Sequence, residues 1–138
     1  MAHYLFNLVG REPVDGFLQA RMWGVGAEEP HRSALHAGDL VLLYLGAPER
    51  ELIGRAVLVS AVHEWTPTEA ATYPGDAPSG VLLADVEEWR PPLPMSDVLA
   101  RIDKSEGARA DFATGVVRIT ENEYETALSV RPTHPRRF

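Results

Sequence analysis

Residues 38–62 constrain the fold of this chain more than any other stretch. A Gly-Asp turn leads into Leu40–Leu45, a nearly continuous apolar run of the kind found in strands that are buried on both faces. A polar segment, residues 47–51, then returns the chain into a second apolar run, residues 52–62. Two such runs joined by a short turn predict an antiparallel hairpin. Gly54, inside the second run, predicts a bulge or a close backbone contact.

The rest of the sequence predicts an α+β fold, a small open β-barrel of about five or six mostly antiparallel strands with short flanking helices. Further strands are expected at residues 3–9, at residues 81–87, where the prolines at 91–94 should stop the strand, and at Val116–Ile119. Helices are expected after Pro13, from a Ser96 cap to Ile102, at residues 105–112, and from the Thr120 and Glu123 capping box to Ser129. Residues 64–80 are expected to form a long loop.

Length and composition narrow the class of protein. The 138 residues suit one domain, expected at residues 1–130, followed by a basic, proline-containing tail at residues 131–138. The chain has no cysteine, which excludes disulfides, thiolate catalysis and Cys-ligated zinc. No apolar run is long enough to cross a bilayer, and residues 1–9 are too short for a signal peptide. We therefore expect a cytoplasmic protein that makes no membrane contact.

One series of residues resembles a known family. The series consists of Trp23-Gly24-Val25, His31-Arg32, Leu35, Gly38-Asp39, Tyr44 and Ile53-Gly54-Arg55-Ala56. It resembles the EVE branch of the PUA-like superfamily, whose relatives include YTH domains. The resemblance implies a PUA-like barrel that binds a modified base, methylated or hydroxymethylated, in an aromatic pocket. In these families the matching tryptophan walls the pocket, and backbone groups after it face the base. It thus implies that Trp23 stacks on the base while Gly24 and Val25 contact its edge.

Other side chains are candidates for the same pocket. Asn7 has an amide that can both donate to and accept from a base edge, although a strand-end turn role is equally open. Tyr44 is expected to add wall, and Trp65 or Tyr73 to close a cage from the long loop; Trp65 as a cap on the barrel end is an equal alternative. Asp85 is an acid on an apolar strand and needs a partner if buried, either Arg55 or a base N–H.

Phosphate contacts are expected from three arginines, Arg32 near the pocket and Arg136 and Arg137 in the tail. The net charge of −7 argues against binding that is driven by phosphates alone, because such binding needs a basic surface. It allows a module that grips one extruded base and touches few phosphates. His31 is expected to be a solvated surface residue, and Trp89 to pack against the proline-rich turn.

The expected partner is nucleic acid with a modified base, with DNA favoured over RNA. EVE domains are often joined to restriction endonucleases, so a fused or partner nuclease in a modification-dependent restriction system is implied. The five histidines lack metal-ligand spacing and no serine has a nucleophile-elbow context, so no catalytic residue, metal or cofactor is expected. The alternatives are a nucleoside hydrolase of the ASCH type, for which Lys104 is the only lysine, an RNA-binding PUA-like protein, or a module that binds a protein or a small ligand.

Overall fold

One sixteen-residue strand, Ser79–Pro94, organises the sheet. A computed structural model of the chain describes residues 1–8, 14–46, 48–101 and 115–138. In chain order its strands are β1 (His3–Leu8), β2 (Met22–Gly24), β3 (Leu40–Leu45), β4 (Glu51–Leu58), β5 (His63–Glu64), β6 (Ser79–Pro94), β7 (Val116–Ile119) and β8 (Arg136–Arg137). Its helices are α1 (Val14–Ala20), α2 (Pro67–Thr72), α3 (Met95–Leu99) and α4 (Glu121–Ser129), with a 3₁₀ turn at Arg32–Ala34.

The strands form one curled, mixed sheet in the order β2-β6-β4-β3-β1-β7, and β5 and β8 also pair with β6. Strands β1 and β3 are parallel, and every other pair within the described ranges is antiparallel. The predicted α+β fold, a small open barrel of mostly antiparallel strands with short flanking helices, is confirmed, and the curled sheet forms a half-barrel. The predicted hairpin is also confirmed, since β3 and β4 pair through their whole lengths.

Apolar side chains fill both faces of the curled sheet. Along β3, Val41 and Leu43 pack into one cluster with Trp23, while Leu42 packs into a second cluster under α3 and α4. This confirms that β3 is a strand buried on both faces, as its unbroken apolar run predicts. Trp89 lies at the centre of the second cluster and packs with Leu93, which confirms the structural role predicted for it.

Strand β6 differs from its prediction because it continues through its prolines. The register between β4 and β6 shifts between Gly54–Glu88 and Leu52–Leu93, so residues 89–92 have no direct partner on β4. Pro91 and Pro92 fall inside this irregularity, where the ladder needs no backbone N–H, and they are therefore tolerated. Gly54 makes the close contact expected of it, because a Cβ at this position would overlap the Glu87 carbonyl.

The ends of several helices and strands can be compared with those that local sequence signals predicted. The capping box of Thr120 and Glu123 is present, and α4 has the predicted bounds. Strand β4 ends at Leu58, four residues before its predicted end. The Ser96 cap is wrong, because α3 begins at Met95 with Pro94 at the cap. The predicted helix at residues 105–112 and the predicted helix end at Ile102 lie outside the described residues.

Candidate functional site

A cavity of about 220 Å³ opens beside the short edge strand β2. It lies between the end of β1, helix α1, strand β2 and the segment that follows α2. Its wall is formed by Asn7, Phe17, Trp23, Gly24, Gly26, Tyr73, Gly75, Asp76 and Ala77. The volume is below the roughly 300–1,000 Å³ of sites for drug-sized ligands, so it suits one small planar group.

Three aromatic rings line this cavity, and the ring of Phe17 contacts the other two. The ring of Phe17 lies 5.7 Å from that of Trp23 and 5.6 Å from that of Tyr73, measured between centroids. Trp23 is 6% exposed and also packs on Phe6 at 6.0 Å, so it is both a core residue and a cavity wall. The cavity therefore has an aromatic face, part of which belongs to the core, beside polar groups of its wall.

Trp65 supports this wall from behind and does not line the cavity. Its indole Nε1 donates to the Ala77 carbonyl at 2.9 Å, and its ring lies 5.0 Å from the Tyr73 ring. Of the two loop aromatics that sequence reasoning proposed as a cage, Tyr73 is thus the one placed in the cavity wall. Trp65 fixes the position of Tyr73 and of the segment that carries Asp76.

The backbone of Gly24 faces away from the neighbouring strand. Val25 N donates to Ser79 O at 3.0 Å, and Leu83 N donates to Arg21 O at 2.8 Å. In an antiparallel pair the bonded positions alternate, so the N–H and C=O of Gly24 point to the opposite edge of β2. No strand covers that edge in the described part of the chain. Gly24 therefore offers a backbone donor and an acceptor at the cavity wall.

Glycine is required at this position. A Cβ on Gly24 would overlap the Tyr73 hydroxyl and would lie 2.8 Å from the Ala77 Cβ. The side chain of Tyr73 thus occupies the space that any larger residue would need.

Val25 was predicted to contact the edge of the base and Arg32 to contact phosphate, but both form hydrogen bonds within the protein. Val25 donates its N–H to Ser79, and its carbonyl accepts from Arg32 Nη1 and from Ser79 Oγ, both at 2.9 Å. Arg32 Nη1 also lies 3.4 Å from the Gly26 carbonyl. Both backbone groups of Val25 are therefore occupied, and Arg32 clamps the loop that follows Gly24. Sequence reasoning missed this clamp because it depends on Ser79, which is distant in the chain.

The side chains of Asn7 and Tyr44 lie in different places, although the two residues are register partners on β1 and β3. Asn7 is 8% exposed and lies in the cavity wall, as one of its two interpretations required. Tyr44 packs in the second cluster with Leu52 and Trp89, on the face covered by α3 and α4. The proposal that Tyr44 walls the pocket is wrong, because the strand alternation turns its ring to the other face of the sheet.

Asp85 is exposed and is not paired with Arg55, so the salt bridge suggested for it is wrong. The register steps from Arg55–Glu87 to Val57–Ala84, which leaves one extra residue on β6. Asp85 lies in this bulge with a positive φ of 50° and points outward. The buried carboxylate is that of Glu87, two residues later, and it is fully inaccessible to solvent.

Glu87 is surrounded by arginines. Its carboxylate accepts from Arg55 Nη2 at 2.8 Å, Arg131 Nη1 at 3.1 Å and Arg137 Nη1 at 3.3 Å. The indole of Trp89 donates a further bond at 3.3 Å. Burial by itself raises the pKa of this carboxyl, but the hydrogen bonds from Arg55 and Trp89 and the arginine charges hold it below its ordinary value. Glu87 is therefore ionised near neutral pH.

The tail predicted at residues 131–138 returns to the sheet. Arg136 and Arg137 form β8, which pairs with Glu88 and Glu87 of β6. Arg136 lies 3.8 Å from Glu88, and its guanidinium also lies over the Phe138 ring at 4.6 Å. Neither arginine lines the cavity.

The remaining candidates take simple roles. His31 is partly exposed beside Glu29, with 3.7 Å between Nδ1 and Oε1. Asp39 serves its turn, accepting from the backbone N–H of His36 and Ala2, each at 2.9 Å. Lys104 lies outside the described residues.

The long loop expected at residues 64–80 contains helix α2, which sequence reasoning missed. A capping box of Thr66 and Glu69 opens it, with Pro67 at its first position. This signal is visible in the sequence and could have been found. Helix α2 delivers Tyr73 to the cavity. Two further wall residues, Phe17 and Asp76, were not named as site residues, and nothing local marks Asp76.

The pKa of His63 tests how α2 is anchored. Its ring donates from Nδ1 to Ala61 O (3.1 Å) and from Nε2 to Glu69 Oε1 (2.9 Å). The Ala61 bond raises the pKa of His63 most, burial lowers it, and the hydrogen bond and charge of Glu69 raise it further, so that the pKa lies above its ordinary value. We expect NMR titration to find this pKa above the ordinary value of about 6.5 and Glu69→Gln to lower it. The stabilisation is present below about pH 6.5 and lost as pH rises through the folded pKa. Glu64→Gln, a matched exposed change, should leave the titration unaltered; an equal effect would contradict the contact.

Within the described ranges, no group of His, Cys, Asp or Glu is arranged to hold a metal ion, and no helix there has the length and apolarity to traverse a bilayer. Comparison with models of protein families gave no match, and neither did comparison with curated proteins.

Solved structures, in contrast, match along almost the whole chain. Human THYN1 protein, solved in complex with 5-methylcytosine-containing DNA, is 14% identical, covers 98% of this chain and 100% of its own, and gives a TM-score of 0.65. ASCH from Zymomonas mobilis is 12% identical over 95% of this chain and 96% of its own, with a TM-score of 0.59. A protein from Agrobacterium tumefaciens is 18% identical over 99% of both chains, with a TM-score of 0.61.

The fold is PUA-like. The fold that the resemblance implies is thereby confirmed. At identities this low, similarity establishes the architecture, and function has to be argued from the cavity itself.

Proposed function

We propose that this protein captures a single modified base of a nucleic acid in the cavity beside β2. The observation that carries the proposal is the convergence of Phe17, Trp23 and Tyr73 on the outward-facing backbone of Gly24. Aromatic rings accept the face of any base, and a backbone N–H and C=O can bond its edge. The same fold in human THYN1, solved with 5-methylcytosine DNA, supports this function.

The polar groups of the cavity favour a base with an exocyclic amino group. Asp76 is exposed at the cavity wall, and Asn7 lies in the same wall. A carboxylate accepts from the N4 amino group of cytosine, whereas it repels phosphate and has no donor for a carbonyl. Adenine and guanine carry an amino group as cytosine does, and the 5-methylcytosine-containing DNA in the human THYN1 complex makes methylated or hydroxymethylated cytosine in DNA the class of ligand that we propose.

A pocket that holds one base should bind weakly by itself. Extruding a base from a duplex costs a few kcal/mol, which the contacts in the cavity have to offset. Linking the module to a second DNA-binding unit would raise its effective concentration at the site without any new contact. A fused or partner nuclease of a modification-dependent restriction system fits this requirement.

The experiment that tests the proposal uses matched oligonucleotides. We expect fluorescence anisotropy to show tighter binding of single-stranded DNA with one modified cytosine than of the unmodified sequence. Tyr73→Ala should weaken binding to the modified strand by about 5- to 150-fold, the equivalent of about 1–3 kcal/mol of stacking. Tyr73→Phe keeps the ring and should retain most of the affinity.

Gly24→Ala provides a second variant, because its methyl group overlaps the Tyr73 hydroxyl and should displace that ring from its place in the cavity wall. It should lose the discrimination while the protein remains folded by circular dichroism. Equal affinity of the wild type for modified and unmodified strands of both DNA and RNA would contradict the proposal. Hydrolysis of modified nucleosides would then be the activity to assay.

A further inference from the structure

The edge of β6 opposite β4 carries two strands in line. Glu87 pairs with Arg55 of β4 on one side and with Arg137 of β8 on the other. Gly80 likewise pairs with His63 of β5 on the first side and with Gly24 of β2 on the second. Strands β2 and β8 therefore lie along the same edge, and both run antiparallel to β6.

This edge leads directly from the cavity to the arginine cluster. Leu83 N bonds Arg21 O, and Phe138 N bonds Val86 O, so only two residues of β6 separate the end of β2 from the end of β8. From Val81, which faces Trp23, to Glu88, which faces Arg136, the distance is about 23 Å at about 3.3 Å per residue. That span accommodates several nucleotides of a strand.

The edge is basic in a protein whose net charge is −7. Three carboxylates lie along it, those of Asp85, Glu87 and Glu88. Five of the 13 basic residues of the chain lie along this edge or contact its carboxylates from there, namely Arg21, Arg90, Arg131, Arg136 and Arg137, while Arg55 reaches Glu87 from β4 on the other side. Positive charge is thus concentrated on one stripe of the surface.

The arginines around Glu87 exceed what one carboxylate needs. A single guanidinium can satisfy a carboxylate with two parallel bonds. Here three guanidinium groups meet one fully buried carboxylate, and the side chains of Arg131 and Arg137 are 33% and 68% exposed. Each guanidinium has five N–H donors, and in the described residues the bonds of Arg131 and Arg137 to Glu87 use only Nη1. Because both side chains are partly exposed, their solvent-accessible N–H groups can bind a second anion.

We propose that Arg21, Arg131, Arg137 and Arg136, along the β2–β8 edge of β6, form a phosphate-binding track for the strand whose base enters the cavity. This inference rests on the proposed nucleic-acid binding and adds the path of the backbone. Glu87 holds Arg131 and Arg137 in place, and Arg21, exposed at the end of β2, connects the cluster to the cavity. Phosphate contacts position a strand and carry no base information.

The test compares two double variants that remove equal charge. Arg21→Gln/Arg137→Gln changes the track, and Arg101→Gln/Arg118→Gln changes exposed arginines elsewhere, Arg118 being on β7 at the far end of the sheet. The probe is a short unmodified single-stranded DNA, with affinity measured over a series of salt concentrations. Each phosphate contact contributes about 0.7 to the slope of log affinity against log salt, so the track variant should lose about 1.4 and the control should lose nothing. Thermal unfolding verifies that both variants are folded.

Different results would contradict the phosphate-binding track and the base-binding cavity. If the track variant weakens modified and unmodified strands by the same factor and keeps their ratio, the proposal holds. If the wild type shows no preference for a modified base but the track variant alone loses salt dependence, the track stands and the base-binding function is wrong. Equal slopes for the two double variants, or no salt-dependent binding by the wild type, overturn the track.

Discussion

Glu87→Gln is expected to destabilise the protein by about 3 kcal/mol, at the lower end of the roughly 3–5 kcal/mol for breaking a buried ion pair. The amide keeps the shape of the side chain but removes the charge that Arg55, Arg131 and Arg137 share. The lower end applies because the arginines are partly exposed and regain hydration. A domain of this size has about 5–15 kcal/mol of stability, so the loss is a large fraction. Urea unfolding at pH 7 measures it directly.

The same substitution should flatten the acid limb of the stability curve. The folded pKa of Glu87 is lowered, so its contribution is complete above its unfolded pKa of about 4.3 and is lost as pH falls through the folded pKa. Wild type should therefore lose stability below about pH 4 more steeply than Glu87→Gln. Glu88→Gln is the matched control, because among the described residues the ion pairs of the Glu88 carboxylate are with the exposed Arg90 and Arg136. An equal decrease in the free energy of unfolding for the two substitutions would contradict this role of the arginines around Glu87.

Local signals in the sequence determined part of the fold well. The capping box at Thr120 placed α4 to the residue, and the unbroken apolar run placed β3 with both faces buried. Both signals act over a few residues and depend little on distant partners. The course of β6 through Pro91 and Pro92 could not be predicted in this way, because it depends on a register shift against β4.

Register shifts also explain errors in the predicted site residues. One extra residue in a strand moves the following side chains to the opposite face. Without the bulge at Asp85, the register set by Val57–Ala84 would place Val86 opposite Arg55, and the extra residue places Glu87 there instead. Trp23 and Gly24 could be placed because the family resemblance covers them, whereas Asp76 enters the cavity through the packing of Trp65, which no local pattern encodes.

Trp23→Ala should cost about 3–5 kcal/mol of folding stability, as large-to-small substitutions of buried aromatic residues do. Trp23 is 6% exposed, and its ring packs between those of Phe6 and Phe17. The cavity left by alanine would remove contacts from the core and from the site together. We expect urea unfolding to show this loss, and we expect the same variant to lose its binding to DNA for either reason.

Trp23→Phe distinguishes a loss of binding caused by unfolding from one caused by the loss of the stacking surface. Phenylalanine keeps a ring between Phe6 and Phe17 and should cost much less stability, while it presents a smaller face to the cavity. If Trp23 forms the stacking wall, the phenylalanine variant should remain folded at 25 °C and bind the modified strand more weakly, with the affinity for the unmodified strand nearly unchanged. A variant that is folded and keeps the full preference for the modified base would restrict Trp23 to the core and leave stacking to Phe17 and Tyr73. Because these two rings reach the cavity from α1 and from the segment after α2, base capture would then depend on the packing of those elements and not on β2.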